Sequence, residues 1–163
     1  MKINFLLVCL VITFSIKNYA SEFNPEISLN ALMKKVQRYG LPEIRGEETK
    51  DGKIIPLLYF GQKKINNTYD IVDNIKKGYW GSATIFVKKD SEFIRISTNI
   101  LKDDGTRAIG TELAHNIAYQ HVIEGKKYCG DIDILGIPYN TCYEAIKNKA
   151  GEIVALIYVG YKK

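Results

Sequence analysis

The chain has 163 residues, 23 of them basic and 18 acidic, for a net charge of +5 at neutral pH. That length makes one domain with an adequate core. The positive excess is mild and falls in scattered pairs such as Lys34-Lys35, Lys88-Lys89 and Lys162-Lys163. A nucleic-acid surface would cluster that charge on one face and interleave aromatics, so nucleic acid is not an expected partner.

Residues 3–16 are almost wholly apolar behind Lys2, and Tyr19-Ala20-Ser21 offers a small-residue cut site. This is the layout of a secretory signal peptide over residues 1–20, which leaves 21–163 as a single mature domain. The apolar run is shorter than the roughly 18–20 residues a membrane span needs. No later stretch approaches that length, so a spanning protein is not expected; the alternative is an uncleaved N-terminal anchor.

The spacing of Ile27, Leu29, Leu32, Met33 and Val36 predicts a helix over 25–38, with Asn24 as cap and Gly40 as stop. Residues 43–52 are polar and turn-forming and read as a loop, followed by a short strand over 54–60. A second helix is predicted over 69–77, closed by Gly78. From Ser82 the period changes to two. Ser82–Lys88 and Phe93–Ile100 form a predicted hairpin. A helix capped by Thr111 or Asn116 ends at Gly125, and three strands follow over 127–135, 139–147 and 152–161. Five consecutive antiparallel strands with helices before and between them make an α+β domain with one central sheet.

Cys129 and Cys142 lie on adjacent predicted strands, symmetrically about the turn near Leu135-Gly136. That register sets them opposite each other at disulfide range, and an exported chain meets an oxidising compartment. A one-residue bulge would instead leave two free buried thiols. His115 and His121 are six residues apart and point about 120° away from each other on a helix. No HExxH, metal-spaced cysteine set or CxxCH occurs, so no metal, cofactor or catalytic residue is expected.

Tyrosine is abundant at 11 residues, and Tyr128, Tyr139 and Tyr143 alternate onto shared strand faces in the second hairpin. Such phenols either wall a ligand or simply pack a small sheet. Arg95 sits mid-strand in Phe93-Ile94-Arg95-Ile96-Ser97-Thr98. Its guanidinium can hold a carboxylate bidentately, either a ligand's or that of an internal acid such as Glu144. Arg107 reads as fixing a loop.

The ordered set Gly81–Val87, Phe93–Asn99, Asp104–Thr111, Gly125–Gly130, Ile134–Tyr139 and Ile157–Gly160 resembles Cache domains, nearest the single-Cache, Cache-3/Cache-2-type sensory domains of bacterial chemoreceptors and sensor kinases. The resemblance spans roughly residues 50–161. It implies a PAS-like central five-stranded sheet with an N-terminal helix and flanking helices, and a pocket between the sheet and its overlying loops. It also implies a small polar or anionic ligand, with short carboxylates favoured. Carried onto this sequence, the ligand set is Arg95 and Thr98, with Ser97 as a further hydroxyl donor and Tyr128, Tyr139, Tyr143 and Trp80 enclosing the apolar part. Arg95 and Thr98 have opposite strand parity, so they share a face only if the strand bulges.

The resulting expectation is a solitary, exported, periplasmic or secreted sensor head that binds its ligand reversibly and is not an enzyme. It would signal through a partner such as a membrane receptor, as a monomer or a homodimer. The alternative is a module without a ligand that contacts a membrane, envelope or host protein.

Overall fold

A computed structural model of the chain describes residues 24–163, so the expected signal peptide over 1–20 lies outside the described residues. The first element is helix α1 (Pro25–Gln37), whose Asn24 side chain accepts hydrogen bonds from the Glu26 and Ile27 amides, with Pro25 at the first turn. Among the described residues no helix is long and apolar enough to cross a membrane.

Residues 43–52 are not a loop. They form β1 (Pro42–Lys50), which pairs antiparallel with β2 (Lys53–Phe60) across an Asp51-Gly52 turn; β3 (Lys63–Lys64) completes a three-stranded sheet. β1 escapes a reading by period because it buries neither face, and its register shifts between Ile44 and Glu47 beside Gly46. This small sheet accompanies the expected central five-stranded sheet.

Helix α2 (Asp70–Tyr79) leads into the main sheet: β4 (Ser82–Lys89), β5 (Glu92–Thr98), β6 (Tyr128–Ile134), β7 (Ile137–Lys147) and β8 (Ile153–Lys162), with helix α3 (Ile117–Ile123) between β5 and β6. All neighbours are antiparallel, in the order β5-β4-β8-β7-β6. The β6–β7 turn is Leu135-Gly136, both at positive φ, where the symmetric placement of the two cysteines puts it. β7 consequently begins at Ile137.

The sheet separates two cores. On its helix face, Ile85, Val87, Ile96, Ile157 and Val159 pack with Leu29, Leu32 and Val36 of α1 and with Val72 and Ile75 of α2. On the opposite face, Phe86, Phe93, Leu156, Tyr143 and Tyr158 pack under α3 and the segment 100–113, which contributes Ile100, Ala108 and Leu113. Burying these aliphatic side chains, at about 1.5–3 kcal/mol each, is what holds both layers to the sheet.

β5 carries one irregularity that decides the site. Ile85 pairs with Ser97, but its neighbour Phe86 pairs with Arg95, which leaves one residue extra on β5. Ile96 and Ser97 both turn to the helix face, and Arg95 and Thr98 arrive on the same, opposite face.

Candidate functional site

Two parallel cross-strand rows define the loop-covered face. One runs Thr98–Thr84–Tyr158–Tyr143–Tyr128 across all five strands, and the next runs Arg95–Phe86–Leu156–Ala145. Arg95 is 5% exposed, with its guanidinium carbon 5.0 Å from the centre of the Phe86 ring. Its Nη1 donates to Thr111 Oγ1 at 2.6 Å and to the Glu112 carbonyl at 3.4 Å. Among the described residues neither Nε nor Nη2 has a hydrogen-bond partner. Burial lowers the pKa of Arg95, while the Tyr143 and Tyr158 phenols pull it the other way. Glu144, the internal acid considered for Arg95, points to the other face and lies 3.7 Å from Lys127. No carboxylate pairs with Arg95 among the described residues.

The same backbone that carries Arg95 is edged by a strap. Thr111 accepts from the Arg95 amide, Gly110 donates to the Arg95 carbonyl, and Leu113 donates to the Phe93 carbonyl, all at 2.9 Å. The start of the strap is fixed by Arg107, as expected of a loop-holding residue. Its two terminal nitrogens bond both Asp73 oxygens of α2 at 2.8 and 2.9 Å, and Nη1 also donates to the Thr98 carbonyl at 2.7 Å.

The tyrosines lie down on the sheet. A Cβ at Gly160 would sit 2.1 Å from the Tyr158 hydroxyl, and one at Gly130 would sit 2.5 Å from that of Tyr128. Only glycine two residues on lets each ring rest along its own strand. Tyr143 fills the space between, with ring centres 4.9 Å from Tyr158 and 6.4 Å from Tyr128. The Tyr158 hydroxyl meets Ser82 Oγ at 3.0 Å. Burial pushes the phenols of Tyr143 and Tyr158 well above the ordinary tyrosine range.

The structure thus brings Arg95, Thr98, Tyr128 and Tyr143 to one face and adds Phe86, Tyr158 and Thr111. The Thr98 hydroxyl is already engaged, by Thr84 Oγ1 at 2.7 Å and the Ile100 amide at 3.1 Å. Ser97 is a correction: its hydroxyl donates to the Thr68 carbonyl at 2.5 Å on the helix face, because the bulge turned it away. Trp80 and Tyr139 line a cleft of about 320 Å³ at the hairpin end of the sheet that neither Arg95 nor Thr98 lines, and Tyr139 also packs against the loop-face core with Tyr143 and Tyr158. Thr111 was invisible in sequence, since only the folded strap shows it beside β5.

Cys129 and Cys142 face each other in an unbroken β6–β7 register, with Cα atoms 4.1 Å apart, and are joined by a disulfide. The bridge lies behind the tyrosine row, on the helix face, where Cys142 is buried.

No curated protein matches the chain. The family model for the Cache 3/Cache 2 fusion domain matches residues 22–163, nearly all of it. Cache domains are sensory modules that bind small molecules and typically work outside the cytoplasm. The five-stranded antiparallel sheet and its flanking helices are in keeping with that match, and the chain belongs to the Cache 3/Cache 2 fusion domain family.

Proposed function

We propose that this protein is the ligand-binding part of an exported sensing system and that it reversibly binds a small anionic metabolite, of the short carboxylate class, at Arg95. The observation that carries the reading is a buried guanidinium whose Nε–Nη2 edge meets no protein acceptor. A buried charge without a partner costs several kcal/mol. A carboxylate laid along that edge would make two parallel charge-assisted hydrogen bonds and offset the penalty. Phe86, Tyr143 and Tyr158 would pack against the apolar part of the ligand, and Thr111 would hold the guanidinium in register. The apolar run at residues 3–16 and the disulfide support export.

Because Arg95 is covered, a ligand reaches it when the strap around residues 107–113 lifts from the β5 edge. Occupancy and strap position are then linked, since a ligand that binds one strap position better shifts the population toward it. A membrane receptor that recognises the loaded form would read that position.

The test is the melting temperature of the purified protein against small mono- and dicarboxylates and the neutral amides of the same shape. A carboxylate at 100 times its dissociation constant should add about 2.7 kcal/mol, a shift of several degrees for a domain of this size. Arg95→Met should remove the shift. Equal responses to acids and amides, or a response that survives in Arg95→Met, would overturn the assignment.

A further inference from the structure

The cleft that holds Trp80 and Tyr139 has features the Arg95 site does not explain. Its apolar walls are Trp80, at the end of α2, Leu101, just past β5, and Leu135, in the β6–β7 turn. These three are 77%, 53% and 55% exposed, although they come from separate segments that converge on one opening. Lys76 and Lys162 stand on its rim, and neither has an ion-pair partner among the described residues. The Tyr139 phenol joins the lining and is likewise without a hydrogen-bond partner there; partial burial raises its pKa. One carboxylate, Asp103, also lines the cleft. The balance of charge favours an anion.

Backbone conformation singles out the same place. Among the described residues, five non-glycine residues have positive φ: Asp51, Asn67, Trp80, Asp90 and Leu135. Asp and Asn take that region readily, whereas a bulky residue there is strained. Trp80 at 61° and Leu135 at 54° are the two bulky cases, and both line this cleft. Such strain gathers at ligand clamps when the fold holds it in place. At about 320 Å³ the cleft is at the lower end of ligand pockets, which run roughly 300–1,000 Å³.

The cleft is separate from Arg95. Phe86 stands beside Arg95, and Ser82 lines the cleft four residues earlier on the same strand, a distance of about 13 Å at ~3.3 Å per residue. The row of Tyr158, Thr84 and Thr98 lies between them. A two- or three-carbon acid has too little body to touch all three apolar walls. A flat ring stacked on the indole, with an anionic arm toward the lysines, matches walls and rim together.

We propose that this cleft is a second binding site, independent of Arg95, for an aromatic carboxylate. Trp80 is the one tryptophan of the chain, so its emission reports on this cleft alone. The probe is 3-phenylpropionate, with neutral 3-phenylpropan-1-ol and butyrate as comparisons. The acid should give a saturable change in Trp80 emission. The alcohol and butyrate should each bind at least about tenfold more weakly. Lys76→Gln with Lys162→Gln, both at exposed positions, should weaken the acid by about tenfold or more. Arg95→Met should leave the emission titration unchanged, even where it removes a carboxylate shift in melting temperature. No saturable change up to about 10 mM, an alcohol that binds as tightly as the acid, or loss of the response in Arg95→Met would each overturn the proposal. The last result would make the two places one site.

Discussion

The two faces of the main sheet are built from the same strands and differ in almost every other respect. The helix face is aliphatic, and its buried hydroxyls are engaged, Ser28 with Tyr161 at 2.6 Å and Ser97 with the Thr68 carbonyl. Two helices of 13 and 10 residues cover it. The loop face buries Arg95, Thr84, Thr98, Thr141, Tyr143 and Tyr158, under a helix of seven residues and an irregular strap. A sheet with period-two alternation can thus put cohesion on one side and chemistry on the other. The lesson is that the buried charge, Arg95, lies where the cover is lightest and most easily moved.

The comparison breaks most sharply if a helix-face change alters ligand response. Leu32 is fully buried in α1, and Leu32→Ala should lower stability by about 2–5 kcal/mol while the folded protein keeps its carboxylate response. A folded Leu32→Ala protein that no longer binds would show that the faces are not separable. Next in size is the staple. The bridge closes a 13-residue separation, and replacing Cys129 with Ser and Cys142 with Ala should cost about 3 kcal/mol. Melting should fall by roughly 6–12 °C, at about 2–4 °C per kcal/mol. An unchanged melting temperature in non-reducing buffer would sink the structural role of the bridge.

Arg95 should behave in the opposite sense. Removing an unpaired buried charge and filling its space with an apolar side chain should stabilise the ligand-free protein, so Arg95→Met is expected to gain about 1–2 kcal/mol in urea unfolding. A gain coupled to loss of the carboxylate response would sharpen the contrast between a face kept for stability and a face kept for binding. A loss of more than about 1 kcal/mol would mean instead that the guanidinium's bonds to Thr111 and Glu112 are structural.

The sequence made one half of this contrast legible and hid much of the other. The period-two runs of β4, β5 and β8 and the symmetric placement of Cys129 and Cys142 were readable, because one buried face imposes alternation and a two-residue turn fixes register. β1 was not readable, since it is polar on both sides and takes its conformation from pairing with β2. The bulge on β5 was a condition that could be named but not located. Nothing local in Arg95-Ile96-Ser97-Thr98 marks it, and it exists through the ladder with β4. Hence Arg95 was found as an unusual mid-strand charge, while the bulge that turns Ser97 to the helix face and the cleft that gathers Trp80 went unseen. Convergence of loop tips is a property of the tertiary fold and leaves no period to detect.

The smallest effect at neutral pH is the one that probes the loop face most directly. Burial raises the Tyr143 and Tyr158 phenols above their unfolded value, so the folded state holds those protons more tightly. A raised pKa contributes stability that is complete below the unfolded value near pH 10 and is lost as pH rises beyond it, at about 1.4 kcal/mol per unit for each group. Stability should therefore be level from pH 6 to 9 with respect to these groups and fall above about pH 10. Tyr143→Phe should change stability by less than about 0.5 kcal/mol at pH 7, since it keeps the ring and its packing, and should make the alkaline fall shallower. Arg95 enters with a definite sign, because its charge lowers the Tyr143 pKa. In Arg95→Met the Tyr143 proton should leave at still higher pH, visible as a later rise in tyrosinate absorbance. An alkaline limb that neither substitution moves would mean that Arg95 and the tyrosines, though neighbours on one face, do not share an electrostatic environment.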